Sequence, residues 1–138
     1  MYDERFIAPM RAELTELGVQ ELKTAADVDQ ALKNVDGTTL VVVNSMCGCA
    51  ARNARPAVKT ALAHTARPDK SVTVFAGQDP EPTQQARGYF TGYRPSSPSI
   101  ALMKDGKVVF MLERHQIEGR SADEISHDLV GAFDKYCG

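Results

Sequence analysis

LVVVNSMCGCAARNARP (Leu40–Pro56) is the stretch on which the reading of this chain turns. With the two threonines before it, TTLVVVN (38–44) is β-branched and apolar without alternation, the pattern of a strand buried on both faces of a sheet. The apolar run stops at two small polar residues, Asn44 and Ser45, and after Met46 come two cysteines separated by one glycine. Ala50 to His64 is rich in Ala, Arg, Lys and Leu at helical spacing, with Pro56 bending that helix or standing near its beginning. A strand therefore hands over to a helix at a pair of cysteines.

Working outward, Phe6, Met10, Leu14 and Leu17 recur at helical spacing and stop at Gly18, which predicts a helix over 3–17 with that stripe facing the core. Thr24 precedes AADVDQALKN, a second helix closed between Asn34 and Gly37. SVTVFA (71–76) is a further central strand. DPEPTQQARGYFTGY reads as a helix with Asp79 as N-cap, Pro80 at the first helical position and a glycine at its end. PSIALM (98–103) and KVVFML (107–112) flank KDG, a tight hairpin turn. Ser121 to Glu124 opens as a capping box, and Ile125, Leu129, Val130 and Phe133 give a closing amphipathic helix.

The order is α-α-β-α-β-α-β-β-α. A β-α-β unit, a helix, a β-hairpin and a last helix make an α/β fold of thioredoxin-like type, a central mixed β-sheet flanked by helices, here with extra N-terminal helices. At 138 residues the chain is expected to form a single domain over 1–138.

A net charge of −2 supplies no basic field for nucleic acid, and the apolar run from Leu40 to Val43 is too short to span a bilayer. The N-terminus carries acids and no signal-peptide core, so the expected location is the cytoplasm, with neither nucleic acid nor membrane as partner. Three cysteines without a secretory signal argue for metal or redox chemistry rather than a disulfide scaffold.

Unpaired N–H groups and the positive end of the macrodipole gather at a helix N-terminus, and both stabilise a thiolate there. From Gly37 through Pro68 there is no Asp or Glu, while Arg52, Arg55, Lys59 and Arg67 lie in that span. Cys47 is thus expected to be acidic. It precedes the helix and should be the more exposed thiol, with Cys49 more shielded, which assigns Cys47 as attacking thiolate and Cys49 as resolving thiol. A Cys-Gly-Cys disulfide closes a smaller ring than Cys-X-X-Cys, and Gly48 is read as the flexible link that lets the sulfurs meet. Such a strained bond would be easy to reduce, which suits isomerisation or thiol removal.

Three other readings stand beside this one. The cysteines could be inert small hydrophobes at a helix start. They could be half of a zinc site, although Cys137, His64, His115 and His127 are scattered singly, so that no bound metal is expected. The chain could also be a non-catalytic binding module on the same scaffold. In SSPS (96–99), Pro98 stands where such folds carry a cis-proline beside the active cysteine, leaving the backbone of Ser97 free to pair with an extended substrate; Ser97 and Pro98 are therefore candidate substrate-binding residues.

With NSMCGCAARNARP, RPSSPSIALMKDGK and the ending FDKYCG, the sequence resembles the bacilliredoxin family, thioredoxin-like proteins with a CGC motif, over essentially its whole length. The resemblance implies a thiol–disulfide oxidoreductase. It would remove bacillithiol, or a related low-molecular-weight thiol, from mixed disulfides on S-thiolated client proteins, with weak disulfide isomerase or reductase activity beside it. No bound cofactor is implied, the small thiol being a co-substrate. The family pattern places the attack on Cys47 with Cys49 as its partner. Cys137 is considered as an auxiliary redox thiol by analogy with resolving thiols elsewhere.

Overall fold

The computed structural model describes residues 1–137. Its centre is β2 (Thr38–Asn44), buried along its whole length as the unalternating pattern requires. β2 runs parallel to β3 (Lys70–Phe75) on one side and antiparallel to β4 (Ser99–Lys104) on the other. β5 (Lys107–Leu112) completes the hairpin. Asp105 and Gly106, both at positive φ, form the tight turn that the right-handed strand twist favours. A two-residue strand, β1 (Gln20–Glu21), pairs parallel to β3 at the far edge, so the order is β1-β3-β2-β4-β5.

Side chains alternate across β2 and divide the core. Leu40 and Val42 join Leu14, Val58, Leu129 and Phe133 on the face covered by α1 (Glu4–Thr15), α3 (Arg55–Ala61) and α6 (Ala122–Tyr136). Val41 and Val43 join Val28, Leu32, Val74 and Phe90 on the face covered by α2 (Ala25–Leu32) and α4 (Pro80–Arg87). The Ser121–Glu124 capping box opens α6 as expected. No helix among the described residues is long and apolar enough to cross a membrane.

Several expectations are corrected. β1 lies between the two N-terminal helices, where no strand pattern was legible. A one-turn helix, α5 (Arg114–Ile117), follows β5. The buried face of α1 is Ile7, Arg11 and Leu14, while Phe6 is half exposed, so the Phe6–Met10 stripe is displaced. Arg11 can be buried because Glu4, Glu21 and Asp79 bond its guanidinium and the ring of Phe75 lies 5.2 Å away. That also explains why Asp79, expected to cap α4, makes no side-chain cap: its carboxylate is turned to Arg11.

Candidate functional site

β2 ends at Asn44, and the next three residues carry the chain to Cys47 at the carboxyl end of the sheet. The Asn44 side-chain amide donates to Met10 O at 3.2 Å, and its Oδ1 accepts from Ser45 N at 2.9 Å. Arg55, 3% exposed, donates from Nη1 to Asn44 Oδ1 and Ser45 O, each at 2.9 Å, and its Nε lies 3.1 Å from Glu13. A buried guanidinium thus fixes the turn that presents Cys47. Arg55 faces inward because the chain leaves Cys49 as a π-helical turn, Ala50–Ala54, in which the Arg55 N–H bonds Ala50 O. Pro56 follows in the first turn of α3, where its missing N–H is no loss.

The Cys47 and Cys49 sulfurs are 2.8 Å apart, and all three cysteines are free thiols. Ser45 Oγ lies 3.1 Å from Cys47 Sγ and accepts from Cys47 N at 3.3 Å. Burial opposes ionisation of Cys47, but hydrogen bonds from the Cys49 thiol, the Ser45 hydroxyl and the N–H groups of Ala50 and Cys49 outweigh it and lower the Cys47 pKa. Cys49 moves the opposite way: burial, then the hydrogen bond to Cys47 and its charge, push its pKa up, with Arg114 only partly offsetting them. The expected difference in exposure is not found, since both thiols are half-buried. What separates them is which sulfur is solvated as an anion.

Gly48 plays a second part beside the flexible link expected of it in the disulfide form. Its φ is not in the left-handed region, so the dithiol form needs no glycine-only conformation. The guanidinium of Arg52 occupies the space instead, with Nη2 only 2.6 Å from where a Cβ would stand.

A groove of about 280 Å³ opens beside the sulfurs, with Cys47, Gly48, Cys49 and Arg52 on one wall and Arg114, Glu118 and Gly119 on the other. Asn53 ties the walls together by donating to the carbonyls of Ile117 and Arg120. Of the four cations expected around the cysteines only Arg52 lines this groove. Arg55 is buried behind the turn, and Arg114 arrives from a distant part of the chain that spacing could not connect to the site.

The Ser97–Pro98 bond is cis, as expected. It immediately precedes β4, whose Ser99 pairs with Val43 near the end of β2. The carbonyl of Ser97 is not free, however, since it accepts from Arg114 Nη1 at 3.0 Å. Arg114 also donates from its backbone N to Ser96 Oγ at 3.3 Å and from Nε to Glu118 at 2.9 Å. One arginine joins the proline segment to the thiol groove.

Cys137 is not brought to this site. It lies beside Thr38, the first residue of β2, whereas Cys47 lies beyond the last. Seven strand residues at about 3.3 Å each put the two ends roughly 20 Å apart. Burial, helped by Asp69, raises the Cys137 pKa against the opposing influence of Thr38 and Lys104. Among the described residues no group of three or more His, Cys, Asp and Glu side chains could hold a metal ion, and His64 pairs with Asp134 at 2.8 Å.

A family model described as disulphide isomerase matches residues 2–137. A bacilliredoxin of Koribacter versatilis is 54% identical over 138 residues, covering 100% of this chain and 95% of that one. One of Staphylococcus haemolyticus is 53% identical over 137 residues, covering 99% and 94%. Among solved structures, Malassezia sympodialis thioredoxin superposes with a TM-score of 0.59 at 19% identity, covering 87% of this chain and 91% of that one. Fasciola hepatica thioredoxin gives 0.58 at 21%, covering 86% and 99%. The thioredoxin-like fold, a mixed five-stranded sheet flanked by helices, is therefore the fold of this chain.

Proposed function

The chain belongs to the bacilliredoxin family, and is a thiol–disulfide oxidoreductase on that account; from this premise we propose that Cys47 opens mixed disulfides between bacillithiol and client proteins. The observation that carries the reading is the Cys47 sulfur, which lies 3.1 Å from the Ser45 hydroxyl and 2.8 Å from the Cys49 sulfur at the mouth of an open groove. Those donors favour the thiolate, the form that attacks a disulfide.

In the first step the Cys47 thiolate attacks the bacillithiol sulfur, the mixed S–S bond breaks, and the client thiolate leaves with the electron pair and takes a proton from solvent. Bacillithiol is now bound to Cys47. Cys49, already in contact with the Cys47 sulfur, loses its proton and attacks it, releasing bacillithiol and leaving a Cys47–Cys49 disulfide. The raised pKa of Cys49 holds its proton while Cys47 is anionic; once Cys47 is thiolated that charge is gone and Cys49 ionises more readily. The two cysteines are oxidised as the mixed disulfide is reduced to two thiols. Closing the cycle needs an external thiol, and the reducing cytoplasm suits such a protein.

Ser97 and Pro98 border the strand beside the cysteines and form the edge on which a client segment rests. Because Arg114 occupies the Ser97 carbonyl, the Ser97 N–H is the backbone group offered there. The test is intact mass after mixing the reduced protein with a bacillithiolated peptide. A single bacillithiol adduct on Cys47 in the Cys49→Ser protein, with free peptide thiol, is expected; no adduct on Cys47 overturns the reading.

A further inference from the structure

The groove beside the cysteines holds two guanidinium groups and one carboxylate. Glu118 pairs with Arg114 Nε at 2.9 Å, and Arg114 Nη1 is bonded to Ser97 O, while no hydrogen bond from Arg114 Nη2 is found among the described residues. Arg52, exposed on the opposite wall, lies over Gly48 and makes no ion pair with any acid among the described residues. The Cys47 thiolate is the other negative charge in this groove, and the positive charge of Arg114 interacts with both sulfurs. Thiolation removes that negative charge. At the moment a small thiol becomes attached to Cys47 the groove turns net positive, and an anionic group on the attached thiol would restore the balance.

We propose that Arg52 and Arg114 hold a carboxylate of the low-molecular-weight thiol, and that this hold decides which sulfur of a mixed disulfide Cys47 attacks. The inference rests on the function proposed above and deepens it. A mixed disulfide offers two sulfurs. Attack on the small thiol's sulfur breaks the S–S bond, releases the client thiolate with the electron pair and leaves the small thiol on Cys47. Attack on the client's sulfur releases the small thiol instead and leaves the client bound to the protein. A carboxylate seated between the arginines brings the small thiol's sulfur to Cys47, so the groove directs the reaction toward freeing the client. The preferred substrates are therefore thiols that carry a carboxylate.

The experiment uses the Cys49→Ser protein, which stops at the first adduct, and one peptide carrying either N-acetylcysteine or N-acetylcysteine amide in a mixed disulfide. The peptide thiolate is the same leaving group in both, so the two differ only in the carboxylate. Stopped-flow rates and intact mass are expected to show the anionic disulfide giving small-thiol adduct about fivefold faster, the neutral one giving more peptide-bound protein. Arg52→Ala and Arg114→Ala each shrink the ratio toward one, Arg52→Lys retains most of it, and raised ionic strength diminishes it. Because the ratio is taken within one protein, altered Cys47 acidity or fold cancels. A ratio near one in the parent, or one unchanged in both alanine variants, overturns the inference while small-thiol adduct still forms. Absence of small-thiol adduct from both disulfides overturns the inference alone if the bacillithiolated peptide still gives adduct on Cys47, and overturns the proposed function with it if that peptide gives none.

Discussion

Ser45 and Cys47 hold each other in a closed pair of contacts: the serine hydroxyl lies 3.1 Å from the cysteine sulfur and accepts the cysteine backbone N–H at 3.3 Å. The N–H contact fixes the oxygen, and the hydroxyl proton is then directed at the sulfur. A donor so placed stabilises the thiolate more than the thiol. Ser45→Ala should raise the midpoint of Cys47 ionisation by about one pH unit, the worth of roughly 1.4 kcal/mol. Ultraviolet thiolate absorbance against pH, with the other cysteines replaced by serine, measures it; an unchanged midpoint would show the hydroxyl to be irrelevant to acidity.

Cys47→Ser should abolish release of the client thiol, whereas Cys49→Ser should still form the first adduct and then stall. Single-turnover assays followed by intact mass distinguish the two. Activity surviving in Cys47→Ser and lost in Cys49→Ser would reverse the roles.

Arg55→Met should destabilise the protein by about 2–4 kcal/mol, because it leaves Asn44 Oδ1 and Ser45 O short of a buried donor behind the cysteine turn. Urea denaturation gives the number. A loss under about 0.5 kcal/mol, typical of surface sites, would mean that the guanidinium does not hold the turn.

Hydrogen bonding to Arg11, and secondarily to Gln78, holds the Glu4 carboxyl below its ordinary range. A carboxyl depressed in the folded state adds stability above its unfolded pKa, about 4.3, and that contribution disappears as pH falls through the folded pKa. Thermal unfolding from pH 6 down to pH 3 should show stability falling below about pH 4.3. Arg11→Met, less stable near neutrality because three carboxylates lose their shared partner, should lose less over that acid range. Parallel curves would remove Arg11 as the cause.

Cys137 should be alkylated near neutrality much more slowly than Cys47, since burial raises the pKa of one and hydrogen bonding lowers that of the other. Mass-resolved labelling over time reports both. Equal rates would contradict the environments described.

What was legible in the sequence was whatever short-range pattern fixes. The uninterrupted Leu40–Val43 run could only be a central strand, Asp105–Gly106 supplied the hairpin, and Ser121 with Glu124 marked the last helix. Cys47 and Cys49 announced themselves by spacing and by standing where a strand gives way to a helix. What stayed hidden depends on partners far apart in the chain. Burial of Arg11 needs Glu21 and Asp79, so apolar periodicity misplaced the inner face of α1. β1 carries two residues without strand composition and exists because Val72 and Thr73 offer it an edge. Arg114 bears on the cysteines only after β4 and β5 have folded back along β2. Ser45 was the nearer miss, a hydroxyl two residues before the thiol in NSMC, noted only as a small polar residue ending the apolar run.

The antiparallel pairing of β2 with β4 has a consequence for biosynthesis. Cys47 and Ser45 leave the ribosome well before Ser99, which pairs with Val43, and before Arg114, which closes the groove. A nascent chain holding only its first half carries the CGC dithiol without its opposite wall and without the proline segment. In that state the cysteines are closer to ordinary thiols, mostly protonated near neutrality. The donors that lower the Cys47 pKa and the groove wall that carries Arg114 thus come together only once the second half of the sheet has folded against β2.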